Sequence, residues 1–488
     1  MWGSTAALLL ALAGCGTTTP VTSQVATSSD GLSSVGAGVG GAGAGSNGSL
    51  PTGGGAGTGS GASTGNYPGA SLSGNVGVDG TGQLGSAAIG TTALSNPRTP
   101  VEVGFMAAED VGKTLAAMGY SGISSGDGAA EARATAAAVN SHGGIDGHPV
   151  QPVIYLVKAT GDMATMAQEA CALFFQDNHV VAIISVASND PVLLGCAQQH
   201  HAPIILADSG SVDRATLARY PLLSLNDQIA TEDAAAFLTD GLVKEGFFQG
   251  GVTKPVIGLI TQDEAYFAHT EAIVRSHLQA AGLVLKDSFA MPADQANVGP
   301  AGQNAALKFR SEGIDHVISV DDHGFGLSWF GIGAAAQHYY PRVGMSTYDQ
   351  PAVAGEFSQK GQLTGALGIG WAPVLDVPIT EQADLGSHGA VCRVALAKGG
   401  VDTTSGSVRD VAFPMCDAAF LLAAAWHSRA ITPGDFQAGL AALGRGYSSS
   451  VTFASDFKAS RAAARAYRTI YYEDACNCFH YRGGVHRV

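Results

Sequence analysis

The sequence has little charge, and positive charge in particular is scarce. Only 13% of its 488 residues are charged, and 25 Lys and Arg residues stand against 40 Asp and Glu residues, which gives a formal net charge of −15. A nucleic-acid-binding protein needs a basic face to meet the phosphates, and a protein held on an anionic membrane surface needs a polybasic segment. The composition argues against both functions.

Long hydrophobic runs and catalytic motifs are also lacking. The most apolar stretch of the chain, residues 411–426, is interrupted by Asp417 and is shorter than the roughly 20 residues of a membrane-spanning helix. The pattern G-x-S-x-G occurs at 61–65, but without the strand-to-helix context that gives it meaning. No P-loop, dinucleotide fingerprint or supported Ser-His-Asp set is found. We therefore predict a protein that is not an enzyme, with an exported α/β enzyme as the less favoured alternative.

Glycine is abundant, but it is concentrated before the body of the chain. Residues 16–100 contain 23 of the 67 glycines and only three charged residues, Asp30, Asp79 and Arg98. Such a segment cannot bury enough apolar surface to offset the entropy of ordering. We expect a disordered Gly/Ser/Thr/Ala tether, followed by a globular body at 101–488.

An apolar run at residues 6–14 precedes Cys15 and is too short to span a membrane. Its end, Leu12-Ala13-Gly14-Cys15, resembles the lipobox of bacterial lipoproteins. The resemblance implies that residues 1–15 form a lipoprotein signal peptide with lipidation at Cys15. The protein is then expected outside the cytoplasm, anchored to the cell membrane by lipid.

Strand-like and helix-like segments alternate along the body. Predicted strands lie at 101–106, 150–157, 180–186 and 203–207, with helices at 129–140, 162–176 and 191–200. After Tyr220 the alternation restarts with strands at 256–260, 316–320 and 342–347 and helices at 267–281 and 324–338. Near-continuous apolar strands between helices indicate parallel sheets covered on both faces. We predict an α/β fold of two doubly wound, Rossmann-like lobes.

Several short segments of the body occur in an order that carries a resemblance. Ala137-Ala138-Val139-Asn140 is followed by Gly143-Gly144-Ile145-Asp146-Gly147, and 180–184 is followed by Ser188-Asn189. With Ala202-Pro203-Ile204-Ile205 and 261–266, these segments resemble the type I periplasmic binding proteins, the branched-chain amino acid and amide receptors of ABC importers. The resemblance covers essentially all of 101–488.

The resemblance implies two lobes joined by a three-stranded hinge. The chain is then expected to cross between the lobes twice before its end. The first lobe is predicted to comprise 101–224 and 364–446, and the second lobe 225–363 and 447–488.

The body contains six cysteines, an even number that indicates disulfides in an exported chain. With the strand order 2-1-3-4-5, the helices carrying Cys171 and Cys196 are neighbours on one sheet face, so we predict that these two residues are bonded. Cys392 and Cys416 fall on successive helical stretches of the returning first lobe, and we predict a second disulfide there.

Cys476 and Cys478 are separated by a single residue. A regular strand holds such residues about 6.5 Å apart, at the limit of disulfide reach, so a bend is needed to join them. Alternatively, Cys476-x-Cys478-x-His480 with His486 could bind zinc, although the spacing matches no common structural zinc pattern and exported thiols tend to oxidise. Their pairing stays open, and no metal site is predicted.

The loops at the carboxyl ends of the strands are predicted to form a ligand site between the lobes, because open parallel sheets bind ligands there. By resemblance to amino-acid binders, hydroxyl and amide groups after the third strand hold the ligand carboxylate, and a second-lobe Tyr contacts the ligand. The predicted ligand-binding residues are Ser188, Asn189, Asp208, Ser209, Tyr266, Asp321 and Tyr348.

These residues also have structural interpretations. Ser188 and Asn189 could cap the following helix, and Tyr266 could pack on the surface. Asp321-Asp322-His323 could bind a metal or a ligand amine, but a solvated turn is the favoured interpretation. Asp208-Ser209 departs from the Ala-Thr or Ser that the family usually has. A carboxylate there could favour a cationic ligand group, or it could cap the segment that follows.

The resemblance implies an extracytoplasmic receptor of an ABC importer that captures a small polar solute, amino acid or amide-like, by hinge closure. Its expected partners are the solute and an ABC permease in the cytoplasmic membrane, and the receptor itself is expected to be monomeric, without a cofactor. The alternative is a sensory module of the same fold that signals to a membrane receptor or kinase.

Overall fold

The computed structural model describes residues 98–110, 112, 124–158, 161–207, 211–249, 254–293, 295–358, 361–382 and 385–488. The predicted signal peptide with Cys15 and nearly all of the predicted tether lie outside the described residues. Asp208 and Ser209 also lie outside them.

The first lobe is built on a five-stranded parallel sheet. Its strands are β1 (Val101–Ala108), β2 (Val150–Val157), β3 (Ala182–Ser185), β4 (Ile204–Leu206) and β5 (Leu223–Leu225), in the spatial order β2-β1-β3-β4-β5. The connecting helices are α1 (Gly128–Ser141), α2 (Met163–Phe175), α3 (Pro191–Gln199) and α4 (Arg214–Arg219). This is the strand order that the sequence analysis assumed.

The second lobe is built on a seven-stranded mixed sheet. Its strands are β6 (Ile257–Gln262), β7 (Leu285–Met291), β8 (His316–Val320), β9 (Arg342–Ser346), β10 (Leu367–Gly370), β11 (Ala466–Glu473) and β12 (Cys478–Arg487). The spatial order is β12-β11-β10-β9-β8-β6-β7, and only β11 and β12 run antiparallel to their neighbours. Helices α5 (Thr231–Lys244), α6 (Thr270–Ala280), α7 (Gln295–Ser311), α8 (Phe325–Ala336) and α9 (Pro351–Phe357) belong to this part of the chain.

The segment between β10 and β11 returns to the first lobe. It forms α10 (Pro373–Asp376), α11 (Gly389–Lys398), α12 (Gly406–Ala425) and α13 (Pro433–Leu443). Helix α12 is buried along most of its length and packs against α1, α11 and α13. The stretch around Asp417 is therefore a buried helix.

The predicted α/β fold of two doubly wound lobes is confirmed, and the predicted strands and helices begin and end within three residues of the observed ones. All residues of β3 and of β8 are buried, as expected for parallel strands covered on both faces. Asp127 and Asp162 fix the starts of α1 and α2, because each carboxylate accepts hydrogen bonds from backbone N–H groups of the first turn.

The chain passes between the lobes near Leu225, after β10 and near Ala462. Leu225 and Ala462 form a parallel β-bridge, and the Leu225 N–H donates to the Arg461 carbonyl over 2.8 Å. Strand β10 pairs within the second sheet, so the chain leaves that sheet after Gly370, beyond the position 364 at which the return to the first lobe was predicted. The lobe limits given above otherwise stay a prediction.

Both predicted disulfides are present. Cys171 bonds to Cys196 between α2 and α3, and Cys392 bonds to Cys416 between α11 and α12. The third pair, left open by the sequence, is a disulfide between Cys476 and Cys478 in the β11–β12 turn, where the Cα atoms are 5.2 Å apart. Asn477 supplies the necessary bend with a left-handed backbone, φ 57°.

Across the described residues, none of the helices has both the length and the apolar character that crossing a membrane requires.

Asp417 connects the returning helix α12 to two distant segments of the chain, although it lies in an apolar core and is 0% exposed. Its Oδ1 accepts from the N–H and hydroxyl of Ser450 (2.6 and 2.9 Å) and from the Tyr447 hydroxyl (3.1 Å). Its Oδ2 accepts from Asn226 and from Ser449, both over 3.1 Å. One carboxylate thus satisfies buried donors from two distant parts of the chain.

We expect Asp417→Ala to lower the free energy of unfolding by about 3 kcal/mol or more, because it leaves several buried donors without a partner. The urea unfolding midpoint, followed by circular dichroism, measures this change. The matched control is Asp177→Ala, an exposed carboxylate whose removal should cost no more than about 0.5 kcal/mol. Equal midpoints for the two variants would contradict the structural role given to Asp417.

Candidate functional site

The loops at the carboxyl ends of the two sheets meet and define an inter-lobe cleft. The Tyr266 hydroxyl, from the loop after β6, donates to the Asn189 carbonyl, after β3, over 3.0 Å. The Ser211 hydroxyl, before α4, donates to Asp322 Oδ1, after β8, over 2.5 Å. These two hydrogen bonds join first-lobe loops to second-lobe loops at the edge where parallel sheets bind ligands.

The first-lobe side of the cleft is a tight turn after β3. The Ser185 hydroxyl donates to the Ser188 carbonyl over 2.7 Å, and Ser188 Oγ accepts the Asp190 N–H over 3.1 Å. Asp190 itself caps α3, because its Oδ1 accepts from the Val192 N–H over 2.7 Å. The cap of α3 is therefore Asp190, whereas Ser188 and Asn189 shape the preceding turn.

Asn189 also ties two first-lobe loops together. Its side-chain N–H donates to the Ser211 carbonyl over 2.8 Å, while its own carbonyl accepts from Tyr266. Tyr266 is in turn held at its backbone, where its carbonyl accepts the Thr231 hydroxyl over 2.5 Å. The predicted pair of Asn189 and Tyr266 is thus brought together across the cleft, and Tyr266 does not point away as a surface residue.

Asp322 is the second-lobe carboxylate that reaches across the cleft. Its N–H donates to Gln262 Oε1 over 3.1 Å, and His323 Nδ1 lies 3.2 Å from its Oδ1. Burial favours its neutral form, but His323 and the Ser211 hydroxyl outweigh burial and hold the pKa of Asp322 below its usual value. Asp322 is therefore a stable carboxylate anion at the interface between the lobes.

Glu264 lies beside this anion and titrates differently. Burial and the Asp322 charge raise the pKa of Glu264 to about 7, while His323 acts in the opposite direction. The two carboxylates and the histidine form an electrostatically coupled group in the cleft. Such a group can bind a cation or exchange a proton with a bound molecule.

Asp321 lies on the other side of the same turn. It is 1% exposed, and its Oδ2 accepts from the Leu327 N–H over 3.0 Å, so it stabilises the start of α8. Burial raises its pKa to about 7. Asp322, and not Asp321, makes the hydrogen bond across the cleft, and a ligand-binding role for Asp321 stays a prediction.

Tyr348 lies at the hinge. Its hydroxyl donates to the Ile229 carbonyl, and its ring meets Trp371 edge to face with centroids 5.6 Å apart. Trp371 donates from Nε1 to the Asp227 carbonyl over 3.0 Å. Burial raises the pKa of Tyr348 well above 10, so its hydroxyl stays protonated. The predicted ligand role of Tyr348 remains a prediction, as does that of Asp208 and Ser209, which are not described.

Sequence reasoning identified the loops but did not select Ser211 or Glu264, and it favoured a solvated turn for 321–323, which contains Asp322. Glu264 and Asp322 are carboxylates in loops at the strand ends, each within two residues of a predicted site residue, and this position was their signal. Ser211 follows β4, two residues after the predicted Ser209. Adjacent residues in a turn point in different directions, and sequence spacing alone does not say which of them faces the cleft.

Comparison with solved structures gives high coverage at low sequence identity. An ABC transporter substrate-binding protein from Aeropyrum pernix is 14% identical, with a TM-score of 0.61, and the match covers 80% of this chain and 97% of that chain. A branched-chain amino acid ABC transporter protein from Thermus thermophilus with bound valine is 12% identical, with a TM-score of 0.58 and the same coverages of 80% and 97%.

A solute-binding protein from Rhodopseudomonas palustris HaA2 in complex with p-hydroxybenzoic acid is 12% identical, with a TM-score of 0.56 and coverages of 80% and 97%. The chain has the type I periplasmic-binding-protein fold. The sequence itself matches no protein-family model and no curated protein sequence. The fold resemblance inferred from the sequence is therefore confirmed by structure.

The raised pKa of Glu264 predicts a pH dependence of stability. A carboxyl group with a higher pKa in the folded state contributes stability that is full below its unfolded value of about 4.5 and is lost as pH rises through about 7. We expect Glu264→Gln to flatten the fall in unfolding temperature between these pH values. Parallel unfolding temperature profiles for the variant and the parent protein would contradict the assigned pKa.

Proposed function

We propose that this protein is an extracytoplasmic receptor that delivers a small polar solute to an ABC permease. The observation that carries the proposal is the pair of inter-lobe hydrogen bonds, Tyr266 to Asn189 and Ser211 to Asp322, at the carboxyl edges of both sheets. The neighbouring structures described above are substrate-binding proteins of ABC transporters. The fold and the position of the cleft therefore support the same role.

Lobe closure is the step that couples solute capture to delivery. A ligand shifts the balance between open and closed forms only if it binds them with different affinity. A solute that contacts both Asn189 and Asp322 satisfies this condition, because those groups come together only when the lobes are close. The permease can then distinguish a loaded receptor from an empty one by shape.

The charge of the cleft indicates the class of solute. The described parts of its loops, residues 109–110, 186–190, 211–213, 226–230, 263–267 and 321–324, contain nine Asp and Glu residues and no Lys or Arg. Carboxylates grouped in a cleft raise the local concentration of cations. We propose an amino-acid or amide-like solute with an ammonium group, which binds at Glu264 and Asp322.

The first-lobe turn suits the other end of such a solute. Ser188 carries a hydroxyl, and the adjacent α3, which begins at Pro191, directs the positive end of its helix dipole toward this loop. The hydroxyl can donate to a carboxylate or amide oxygen, and the dipole favours a negative charge there. The two ends of the solute would then bind to different lobes, as closure requires.

The cellular arrangement follows from the same proposal. Cys15 would carry the lipid, and residues 16–100 would tether a monomeric receptor near the permease in the cytoplasmic membrane. A flexible chain of this length has a root-mean-square span of roughly 50 Å. That span allows the receptor to collect solute and still reach a permease.

Calorimetry and thermal unfolding of the full-length chain against amino acids, amides, polyamines and carboxylic acids test the proposal. We expect binding by a compound that carries an ammonium group. At 100 times its dissociation constant it should stabilise the protein by about 2.7 kcal/mol. If only carboxylic acids without an amine bind, the receptor role stands and the proposed solute class is wrong.

Charge-neutralising variants test the proposed contacts. Asp322→Asn removes the negative charge but keeps a side-chain oxygen that can accept from the Ser211 hydroxyl. Glu264→Gln removes the ionisable carboxyl group of Glu264 and keeps the length of the side chain. Each should weaken binding of the ammonium-bearing solute by about tenfold or more, as expected for a charge-assisted hydrogen bond. Asp177→Asn, an exposed carboxylate outside the cleft loops, is the matched control and should leave the affinity unchanged.

A further inference from the structure

The turn between β11 and β12 brings two cysteines, a histidine and a glutamate together on the second lobe. His480 Nε2 lies 3.3 Å from Cys476 Sγ and 3.2 Å from Cys478 Sγ. The two sulfur atoms and the nitrogen all lie within 4.8 Å of one another. Glu473 Oε2 lies 3.0 Å from the same His480 nitrogen. Three potential metal donors, two S and one N, are therefore grouped at one position, and a carboxylate oxygen lies beside the nitrogen.

The turn is held in shape by contacts outside the cluster. The Tyr472 hydroxyl donates to Asn477 Oδ1 over 2.7 Å, which anchors the residue between the two cysteines. Gly355 of α9 packs so closely that a Cβ added there would lie 2.8 Å from the Asn477 carbonyl oxygen. The positions of both cysteines are thus fixed by the fold and do not depend on their disulfide alone.

His480 is oriented by a residue from a different part of the chain. Its Nδ1 pairs with Glu381, which follows α10 on the returning segment, so its Nε2 faces the sulfur atoms. A metal-binding histidine commonly donates its other nitrogen to a carboxylate in this way, which fixes the ring and strengthens the ligand. This carboxylate–histidine arrangement is an independent observation that points to a metal ion.

We propose that reduction of the Cys476–Cys478 disulfide opens a Zn²⁺ site formed by Cys476, Cys478 and His480, with Glu473 as the fourth donor. An external dithiol supplies two electrons and two protons, so the S–S bond breaks into two thiols and the reductant becomes a disulfide. Zn²⁺ then binds both sulfurs as thiolates, and two protons are released. In the reverse direction an external disulfide takes up two electrons and two protons and becomes two thiols, the Cys476–Cys478 bond re-forms, and Zn²⁺ is released.

The donor set selects the class of metal. Thiolate and imidazole ligands in a four-coordinate site suit Zn²⁺, whereas Ca²⁺ and Mg²⁺ require mainly oxygen donors. The site lies in the hairpin at the edge of the second sheet, away from the loops that form the inter-lobe cleft. It is thus separate from the proposed solute site and does not depend on it.

This disulfide should also be the first of the three to open. Cys476 is exposed, whereas Cys392 and Cys416 are both 0% exposed. Thiol–disulfide exchange requires access of the attacking thiolate to a sulfur. The sequence separation of Cys476 and Cys478 is 2 residues, whereas it is 25 and 24 residues in the other two disulfides. A disulfide that closes a short loop constrains the unfolded chain least, so its loss costs the least stability.

The experiment uses the full-length chain with Cys15→Ser, treated with graded amounts of a dithiol. Alkylation of free thiols followed by peptide mapping identifies which disulfide has opened. Zn²⁺ affinity is measured by competition with a chromophoric chelator, and native mass spectrometry gives the stoichiometry. We expect Cys476 and Cys478 to be labelled first, and one Zn²⁺ to bind the reduced protein but not the oxidised protein.

Variants distinguish residues that bind the metal from residues that only lie close to one another. His480→Ala should weaken Zn²⁺ binding by at least about tenfold, and Glu381→Gln, which removes only the positioning carboxylate, by about tenfold. The matched control is His486→Ala, at the opposite end of β12. It should change the Zn²⁺ affinity by less than about twofold, because a residue far from the site contributes little to metal binding.

Three results would overturn the proposal. The first is labelling of Cys171 and Cys196 before Cys476 and Cys478. The second is equal Zn²⁺ affinity in oxidised and reduced protein. The third is retention of affinity in the reduced Cys476→Ser/Cys478→Ser double variant, which would place the metal at the other cluster of two cysteines and a histidine, Cys171, Cys196 and His200.

Discussion

Parallel pairing of buried strands is the constraint on which the rest of this structure depends. A parallel ladder places the carboxyl ends of neighbouring strands at one edge, and the helices that connect them must cover both faces. In this chain β1 to β5 obey that rule in the first lobe and β6 to β10 in the second. Each lobe therefore gathers its polar loops at one edge, and the cleft forms where those two edges meet.

The cleft follows from this geometry, but its chemistry is particular to the sequence. Asp322 is held ionised by His323 and Ser211, while Glu264, a short distance away, has its pKa raised to about 7 by burial and by the charge of Asp322. Two carboxylates in one cleft thus differ in charge near neutral pH. The negative charge that remains is at the surface where the lobes touch, so a bound cation would lower the electrostatic cost of bringing them together.

Much of the fold could be predicted from the sequence, and the reasons are local. The largely apolar segments that form β3 and β8 and the aspartates that cap α1 and α2 indicate their structures within a few residues. The Cys171–Cys196 disulfide followed from strand order, because neighbouring helices on one face hold their cysteines close.

Side-chain direction in turns could not be predicted in the same way. Asp321 and Asp322 are adjacent, yet one caps a helix and the other crosses the cleft, since a backbone rotation in the turn decides which faces outward.

The pairing of Leu225 with Ala462 affects the order in which the two lobes fold. Ala462 pairs with the edge strand of the first sheet, and Arg461 donates to the carbonyls of Tyr220 and Leu223 over 2.7 and 2.6 Å. Contacts between residues so far apart in the sequence form late, because the entropic cost of closing the long loop between them must be met before the contacts can stabilise it. While the chain emerges from the ribosome, the first lobe cannot be completed until residues 461–463 arrive, and the second lobe cannot be completed until β11 and β12 arrive. The two lobes therefore mature together and not one after the other.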